Sequence, residues 1–140
     1  MPTDVRVGIV GAGANTTAKH IPLLQEIDGV EIMGVVNRSA SSSDAVARRF
    51  GIPRTYDHWE QAVADPDTNA IVIGTWPYLH CPVTLAALEA GKHVLTEARM
   101  AMNANEALRM LKASEARPEL VAQVVPSPIT FFADATIQRL

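Results

Sequence analysis

Short apolar runs rich in β-branched residues alternate along this chain with longer stretches of helical periodicity. The apolar runs predict strands at residues 5–10, 30–36, 70–74, 93–96 and 121–125, with a shorter one at 54–56. Polar and apolar residues hardly alternate within these runs, which is typical of strands buried on both faces of a parallel sheet. The order of strands and helices therefore predicts an α/β fold in which helices connect parallel strands.

Two of the predicted helices begin with paired capping residues. Asp57 with Glu60, and Asn103 with Glu106, have the spacing of a capping box. In this arrangement each member of the pair satisfies a backbone N–H group at the start of the helix. We therefore expect one helix to begin at each of these two pairs.

Prolines and glycines delimit two further helices. A helix over residues 82–90 is predicted between a proline at its first position and Gly91 after its last. A helix over residues 16–27 contains Pro22, which lacks a backbone donor, so we expect a kink or a late start there. Residues 39–43 are rich in serine and are predicted to form a polar loop.

The composition narrows the class of protein. A chain of 140 residues with 48% hydrophobic and 19% charged residues fits one globular domain. The net charge of −3 and the lack of a Lys or Arg run argue against nucleic-acid binding. The sequence shows neither a signal peptide nor the ~18 apolar residues of a membrane span, so no membrane partner is expected. A single cysteine, Cys81, fits a reducing compartment, and we expect a cytoplasmic location.

A glycine-rich turn follows the first predicted strand directly and leads into a helix. In a Rossmann unit the first glycine, here Gly11, permits the tight turn. The second, here Gly13 followed by Ala14, lets backbone amides approach a pyrophosphate at the helix N-terminus. The third position, which normally allows close packing of helix and strand, is Thr16, although Asn15 and Thr16 remain able to donate to phosphate. The context favours dinucleotide binding, with a plain turn or another nucleotide-like ligand as the alternative.

The end of the second predicted strand bears on the choice of cofactor. A site for NAD typically has Asp or Glu there, which accepts a hydrogen bond from the 2′-hydroxyl of the ribose. This chain has Asn37, Arg38 and Ser39 instead. Arg38 offers a cation and a planar set of donors to a 2′-phosphate, while Asn37 and Ser39 offer neutral hydrogen bonds. The pattern favours NADP over NAD, and the alternative is that Arg38 is a solvated residue at the strand exit.

Three further segments follow in a specific order: residues 75–80 read TWPYLH, residues 90–94 read AGKHV and residues 97–99 read EAR. With the glycine turn, they resemble the N-terminal domain of the Gfo/Idh/MocA family, which includes glucose–fructose oxidoreductase and inositol dehydrogenase. Members of that family typically carry Thr-Pro-x-x-x-His, Ala-Gly-Lys-His-Val and Glu-Lys-Pro at these places. The resemblance runs from Val5 to about Pro128. It implies a doubly wound Rossmann domain of three layers, with about six parallel strands in the order 3-2-1-4-5-6.

The resemblance also implies where a dinucleotide would lie. Gly11 and Gly13 resemble the pyrophosphate turn, and Arg38 and Ser39 would meet the adenosine ribose. The nicotinamide side of the cleft would be formed by Thr75, Trp76 and His80, with Glu97 contacting the cofactor or fixing the loop. Trp76 would flank a cofactor ring or be buried packing. His80 would contact the ligand or serve only in capping or packing.

The remaining histidines and a lysine have simpler interpretations. Lys92 and His93 belong to a segment that resembles a family signature, yet a structural turn between helix and strand explains them. His20 and His58 have no constellation of functional residues around them in the sequence, and we expect both to be solvated.

Position 98 departs from the family pattern. Family members have a lysine there that is associated with nicotinamide and substrate and is thought to assist proton transfer, whereas this chain has Ala98. Arg99 follows, but an arginine stays protonated and is a poor acid–base catalyst, although it could orient an anionic group. The sequence therefore predicts no catalytic residue of its own and no metal ligand.

The length of the chain is a second departure. Family members carry a C-terminal substrate domain, whereas residues 1–125 here form the predicted NAD(P)-binding domain and residues 126–140 a junction and a helix towards a missing domain. The apolar residues of that last segment would be uncovered and would favour self-association into a homo-oligomer. They are Ile129, Phe131, Phe132, Ile137 and Leu140.

Two functions remain open at this point. The first is the NAD(P)-binding domain of a Gfo/Idh/MocA-type oxidoreductase, inactive alone, whose full-length relatives transfer hydride to or from a sugar-like hydroxyl. The alternative is a non-catalytic NADP-binding regulatory or interaction module, because nucleotide sensing needs no acid–base residue. A methyltransferase, which also has a glycine-rich turn after its first strand, is disfavoured by the motifs between residues 75 and 97.

Overall fold

The structure, a computed structural model, describes residues 4–126. Within these residues the strands are β1 (Val5–Val10), β2 (Val30–Val36), β3 (Ala70–Ile73), β4 (His93–Thr96) and β5 (Ala122–Val124). The α-helices are α1 (Ile21–Gln25), α2 (Ala40–Phe50), α3 (Trp59–Ala64), α4 (His80–Glu89) and α5 (Ala104–Glu115). A π-helical segment (Thr16–His20) leads into α1, and a 3-10 turn (Pro77–Leu79) leads into α4.

The strands form one parallel sheet with the order β2-β1-β3-β4-β5. The segment at 54–56 adds a single parallel bridge, between Thr55 and Val35 of β2. The prediction of about six strands is therefore wrong by one within residues 4–126, although the bridge lies where the outermost strand was expected. The backbone at Arg54 and Tyr56 bonds Val35 of β2, and the side chains of both residues bond Asp65 at the end of α3.

Helices cover both faces of the sheet and make a three-layer domain. On one face, Ile21 of α1 and Ala47 of α2 pack against buried strand residues such as Ile9. On the other face, the side chains of α3 and α4 pack against the opposite side of β1 and β3, with Val83 and Ile71 fully buried. This arrangement confirms the predicted doubly wound α/β fold.

Residues 39–43 do not form the predicted polar loop, because they begin α2. Ser39 is the N-cap of this helix, and its Oγ accepts a hydrogen bond from the N–H group of Ser42 at 3.3 Å. The Ser43 hydroxyl is buried and accepts from the N–H group of Asn37 at 2.8 Å. Serines favour loops when their hydroxyls bond nearby backbone, but the same bonds stabilise a helix when they occur in its first turn.

Two helix starts also differ from the predictions. The Asp57–Glu60 pair is not a capping box, because α3 begins at Trp59 with His58 as its N-cap. Its cap comes from Gln61, whose Oε1 accepts from the N–H group of His58 at 3.5 Å and from that of the preceding Asp57 at 2.9 Å. Helix α4 begins at His80, two residues before the predicted first position, because the Pro77–Leu79 turn runs directly into it.

Other predicted boundaries are confirmed. Asn103 caps α5 by accepting from the N–H group of Glu106 at 3.0 Å, and Glu106 accepts from Met102 in return. Gly91 follows α4 with a φ of +75°, the left-handed conformation expected after a helix. Pro22 lies in the first turn of α1, directly after the π-helical segment, where a missing donor breaks no hydrogen bond within α1.

A buried polar cluster lies near the amino ends of β3 and β4. Lys92 is buried and donates to the backbone oxygen of Asp65 and to the hydroxyl of Thr68. The Asp65 carboxylate accepts from Tyr56 at 2.6 Å and from Arg54 at 2.8 Å. Burial lowers the pKa of the Lys92 ammonium. These contacts agree with the structural interpretation of Lys92.

Some expectations lie beyond the described part of the chain. The apolar residues on which the predicted self-association rests fall within residues 127–140, outside the described range. The described residues include no helix with the length and apolar character needed to cross a lipid bilayer. Nor do residues 4–126 bring together three His, Cys, Asp or Glu side chains in a group able to hold a metal ion.

Candidate functional site

A cleft of about 770 Å³ opens at the carboxyl ends of the strands. Its volume is within the range of small-molecule and cofactor sites, and its place is where parallel α/β sheets bind ligands. Most of the predicted site residues line it: Gly11, Gly13, Ala14, Asn15, Thr16, Asn37, Arg38, Thr75, Trp76 and Glu97. Ser39 and His80 do not belong to its lining.

The glycine turn is held tightly against β2 and β3. Gly11 has a φ of +86°, and its N–H group donates to the backbone oxygen of Val36 at 2.8 Å. A Cβ atom at this position would lie 2.6 Å from Cγ2 of Thr75, so only glycine fits. A Cβ atom at Gly13 would meet only the backbone oxygen of Gly74, at 3.9 Å. The backbone at Gly13 is therefore open to the cleft, as a phosphate-binding turn requires.

The third position of the turn is filled by a buried side chain. Thr16 is 1% exposed, and its hydroxyl donates to the backbone oxygen of Gly11 at 3.2 Å. A Cβ atom at Gly74 would overlap both this hydroxyl and the Gly11 oxygen. The close packing that a third glycine would allow is thus supplied by Gly74 at the end of β3. Because the Thr16 hydroxyl is buried and bonded to Gly11, the donors available to a phosphate are backbone N–H groups of the first helical turn.

Asn37 joins the glycine turn to α2. Its Oδ1 accepts from the N–H group of Ala12 at 2.6 Å, and its Nδ2 donates to the hydroxyl of Ser42 at 3.0 Å. Both ends of the amide are therefore engaged within the protein. Ser39, the other neutral residue predicted at the ribose, directs its hydroxyl to the first turn of α2 instead of the cleft.

Arg38 is exposed at the same end of the cleft. Its guanidinium makes no hydrogen bond or ion pair with any side chain or backbone group among residues 4–126. An exposed cation at the exit of β2 that pairs with none of the described residues is available to an anionic ligand group.

Two aromatic side chains stand open to solvent at the other end of the cleft. Trp76 is 73% exposed and Tyr78 is 57% exposed, and both line the cleft. The interpretation of Trp76 as buried packing is therefore wrong. The chain exposes these apolar rings where the resemblance places the nicotinamide, at the exit of β3.

His80 is a buried connector between two loops. Its Nε2 lies 2.9 Å from the backbone oxygen of Thr75, and its Nδ1 lies 2.8 Å from that of Arg99. The side chain is 1% exposed and does not reach the cleft. Since both ring nitrogens face backbone carbonyls, His80 fixes the loops that follow β3 and β4, which agrees with the packing alternative.

The expectation that His20 is solvated is wrong. Its Nε2 lies within hydrogen-bond distance of Oε1 of Glu97, and Nδ2 of Asn15 donates to the same oxygen. Burial acts to raise the pKa of Glu97, but the hydrogen bonds from His20 and Asn15 outweigh burial, and its pKa lies below the ordinary value. The Glu97 carboxyl is therefore ionised at neutral pH.

The position of His20 beside Asn15 and Glu97 was not predicted from the sequence because the helix there is not an ordinary α-helix. Asn15 and His20 are five residues apart, a spacing that an ordinary α-helix would turn to different faces. The π-helical segment brings residues at this spacing together, and Nδ2 of Asn15 lies 3.5 Å from Nε2 of His20.

Several lining residues were missed by sequence reasoning. They are Ala12, Ser42, Asp57, His58, Trp59, Tyr78 and Leu79, together with Val10, Val36 and Gly74 at the strand ends. Ala98, which the sequence already places where the family has a lysine, also lines the cleft. The residues at 57–59 directly follow the short strand predicted at 54–56. The rule that ligands bind at the carboxyl ends of parallel strands was therefore a sufficient signal to find them. His58 is exposed, as expected.

Comparisons with known proteins agree with this geometry. Residues 5–124 match the model of the GFO_IDH_MocA family, an oxidoreductase family with an NAD-binding Rossmann fold. The sequence is 36% identical over 107 residues to the uncharacterized oxidoreductase ORF334 of Rhizobium meliloti, covering 76% of this chain and 32% of that protein. It is 32% identical over 120 residues to inositol 2-dehydrogenase 3 of Saccharopolyspora erythraea, covering 86% of this chain and 35% of that protein.

A solved structure with the same fold is that of biliverdin reductase from Synechocystis sp. PCC 6803, in complex with biliverdin and NADP+. It superposes with a TM-score of 0.80 at 26% identity, covering 87% of this chain and 38% of that chain. This chain therefore spans about a third of the length of the relatives that it matches.

Proposed function

Because this chain belongs to the oxidoreductase family with an NAD-binding Rossmann fold, we propose that its cleft binds NADP in preference to NAD. The observation that carries the proposal is the open glycine turn at Gly13 with Arg38 on one side of it, a cation that pairs with no other residue in the range 4–126. A dinucleotide requires both features, because its pyrophosphate needs backbone donors and a 2′-phosphate needs a positive side chain.

The residues of the cleft fit such a cofactor. Glycine at positions 11 and 13 keeps the turn free of side chains, and the cleft has the volume for a bound cofactor. The backbone at Gly13 and Ala14 would hold the pyrophosphate, Arg38 the 2′-phosphate, and Thr75 and Trp76 the nicotinamide side. When bound, the nicotinamide supplies the capacity to accept or donate a hydride.

The preference for NADP follows from the end of β2. Arg38 is exposed beside the cleft, and residues 37–39 offer no carboxylate to the ribose 2′-hydroxyl. Asn37 is engaged with Ala12 and Ser42, so it holds the turn and does not discriminate between ribose substituents. A carboxylate at this place would repel a 2′-phosphate, whereas the guanidinium attracts it.

We further propose that residues 1–140 alone bind the cofactor without turning over a substrate. Ala98 lines the cleft with a methyl group where a proton-transferring side chain would be needed. With the rest of a full-length relative, the same cleft would serve hydride transfer to or from a sugar-like hydroxyl. The location we propose is the cytoplasm, in keeping with the free and buried thiol of Cys81.

Ala98 also favours a second candidate function, a non-catalytic NADP-binding regulatory or interaction module. Such a module needs the glycine turn and Arg38 but no acid–base group. A protein partner whose affinity for this chain changes with NADP would distinguish this function from that of an enzyme half.

The test is a calorimetric titration of the purified chain with NADP+, NAD+ and S-adenosylmethionine. We expect NADP+ to bind most tightly, NAD+ more weakly, and S-adenosylmethionine not at all. If none of the three binds, the assignment of the cleft to a dinucleotide is wrong. Steady-state dehydrogenase activity of the isolated chain would contradict the separation of binding from catalysis.

A further inference from the structure

The carboxylate of Glu97 lies at one end of the cleft, and Arg38 lies at the other. Glu97 directly follows β4, while Arg38 follows β2, and β1 and β3 lie between these strands. If the dinucleotide lies as proposed, its 2′-phosphate is beside Arg38 and its nicotinamide is at the Glu97 end. Glu97 therefore places a carboxylate at the end of the cleft where the nicotinamide would lie.

The negative charge at the Glu97 end is not offset by a cation in the lining. The titratable residues that line the cleft within residues 4–126 are Arg38, Asp57, His58, Tyr78 and Glu97. The first three follow β2 or the bridge beside it, so Tyr78 and Glu97 alone belong to the nicotinamide end. Position 98, which could carry a cation, is an exposed alanine.

Two other positively charged or protonatable side chains are near Glu97 in the fold. His20, on the π-helical segment, contacts Oε1 of Glu97 through its Nε2, and Arg99 follows Glu97 two residues later in the chain. Neither lines the cleft. Arg99 is exposed and makes no ion pair with any residue in the range 4–126. The hydrogen bonds from His20 and Asn15 hold the carboxylate in place and keep it ionised.

We propose that Glu97 makes this cleft bind the oxidised dinucleotide more tightly than the reduced one. The nicotinamide ring carries a positive charge in the oxidised form and none in the reduced form, while the rest of the two molecules is the same. A fixed carboxylate at that end stabilises only the charged ring. This inference rests on the proposed function, and it makes the chain a binder that responds to the ratio of oxidised to reduced cofactor.

The first test replaces the charge and keeps the shape. Glu97→Gln retains a side-chain oxygen that accepts from His20 and Asn15, so the loop should keep its position. Dissociation constants for NADP+ and NADPH are measured by calorimetry for both proteins at pH 7. We expect the preference for NADP+ to fall by roughly two- to tenfold, the range for one charge beside a solvated cleft.

Asp57→Asn is the matched control. It removes the same charge from the lining of the same cleft, but at the Arg38 end. Because the oxidised and reduced cofactors are identical there, this variant should change both affinities by the same factor and leave their ratio unchanged. A ratio that falls equally in both variants would overturn the assignment to Glu97.

A second variant tests the inference without replacing Glu97. Ala98→Lys adds a cation at an exposed position beside Glu97 and should also lower the preference for NADP+, whereas Ala98→Met adds similar bulk without charge and should not. If neither Glu97→Gln nor Ala98→Lys changes the ratio, the inference is wrong while dinucleotide binding stands. If the unaltered chain binds neither form, the proposed function itself has failed.

Discussion

Gly74 lies directly against the hydroxyl of Thr16, so close that no Cβ atom fits between them. A Rossmann turn normally obtains its close contact between helix and strand from a third glycine at the start of the helix. In this chain that position is Thr16, and the glycine that allows the close contact is Gly74, at the end of the neighbouring strand β3. The threonine in turn holds the turn by donating to the backbone oxygen of Gly11.

Gly74→Ala should therefore be strongly destabilising. The added methyl group would overlap the Thr16 hydroxyl and the Gly11 oxygen, and overpacking of this kind costs roughly 3 kcal/mol of the free energy of unfolding. Urea denaturation followed by circular dichroism measures the loss. Adding Thr16→Gly to this variant should recover part of the stability, because one of the two overlaps disappears. Equal stability of Gly74→Ala and the unaltered chain would contradict the described packing.

Gly13→Ala should leave the stability of the fold nearly unchanged but weaken cofactor binding. The position has ample space for a methyl group, so we expect the free energy of unfolding to change by less than about 1 kcal/mol. The methyl group would nevertheless obstruct the approach of a pyrophosphate to the backbone, and affinity for both NADP+ and NAD+ should fall about tenfold or more. Calorimetry and denaturation on the same sample separate the two effects. Unchanged affinity would argue against phosphate binding at this turn.

Arg38→Gln should reduce affinity for NADP+ and spare NAD+. A charge-assisted hydrogen bond to a 2′-phosphate is worth about 1.5 kcal/mol or more, which corresponds to roughly a tenfold loss for NADP+ alone. Arg48→Gln is the matched control, since Arg48 is an exposed arginine of α2 outside the cleft lining. If Arg38→Gln weakens both cofactors equally, Arg38 does not read the 2′-phosphate.

The buried polar cluster around Asp65 should make the free energy of unfolding depend on pH. Burial acts to raise the pKa of Asp65, but the bonds from Tyr56, the Asp67 backbone and Arg54 prevail, and its pKa lies below the ordinary value. A carboxyl with a lowered pKa contributes stability that is complete above its unfolded value of about 3.9 and is lost as pH falls through the folded value. Asp65→Asn should therefore cost about 2 kcal/mol at pH 7 and less at pH 3, which is below the unfolded value.

Urea denaturation of both proteins at the two pH values checks this expectation. Asp67→Asn provides the comparison, because Asp67 is exposed and pairs with the same arginine, so its effect at pH 7 should be small. A difference between Asp65→Asn and the unaltered chain that persists unchanged at pH 3 would show that the carboxylate charge is not what stabilises the cluster.

The parallel sheet was predictable because its signals are local. Runs such as residues 5–10 and 30–36 are too apolar to be exposed and too short and β-branched to be buried helices, and both ends of each are correct in the structure. The glycine turn was equally predictable, since its conformation and its open backbone depend on glycine at positions 11 and 13. Such features follow from the residues themselves, and no distant contact alters them.

Helix starts were less predictable because several residues compete for each cap. The serines at 39–43 satisfy backbone donors in either a loop or a helix, and burial of Ser43 beneath the end of β2 selects the helix. At α3, Gln61 rather than Glu60 supplies the cap, a choice of one residue that propensity does not resolve. The outermost strand is only a single bridge, and the side chains of Arg54 and Tyr56 beside it bond Asp65 at the end of α3, a contact that the sequence does not reveal.

The amino-acid sequence alone determined the order of strands and helices, the glycine turn, the uncharged Ala98 and the cation at Arg38, because each depends on residue type and near neighbours. Folding in three dimensions decided the rest of the site. It placed Gly74 against Thr16, carried Asn37 to the turn and brought His20 to Glu97, 77 residues away along the chain. Those contacts join segments that are far apart in the chain, and only the packing of the whole sheet brings them together.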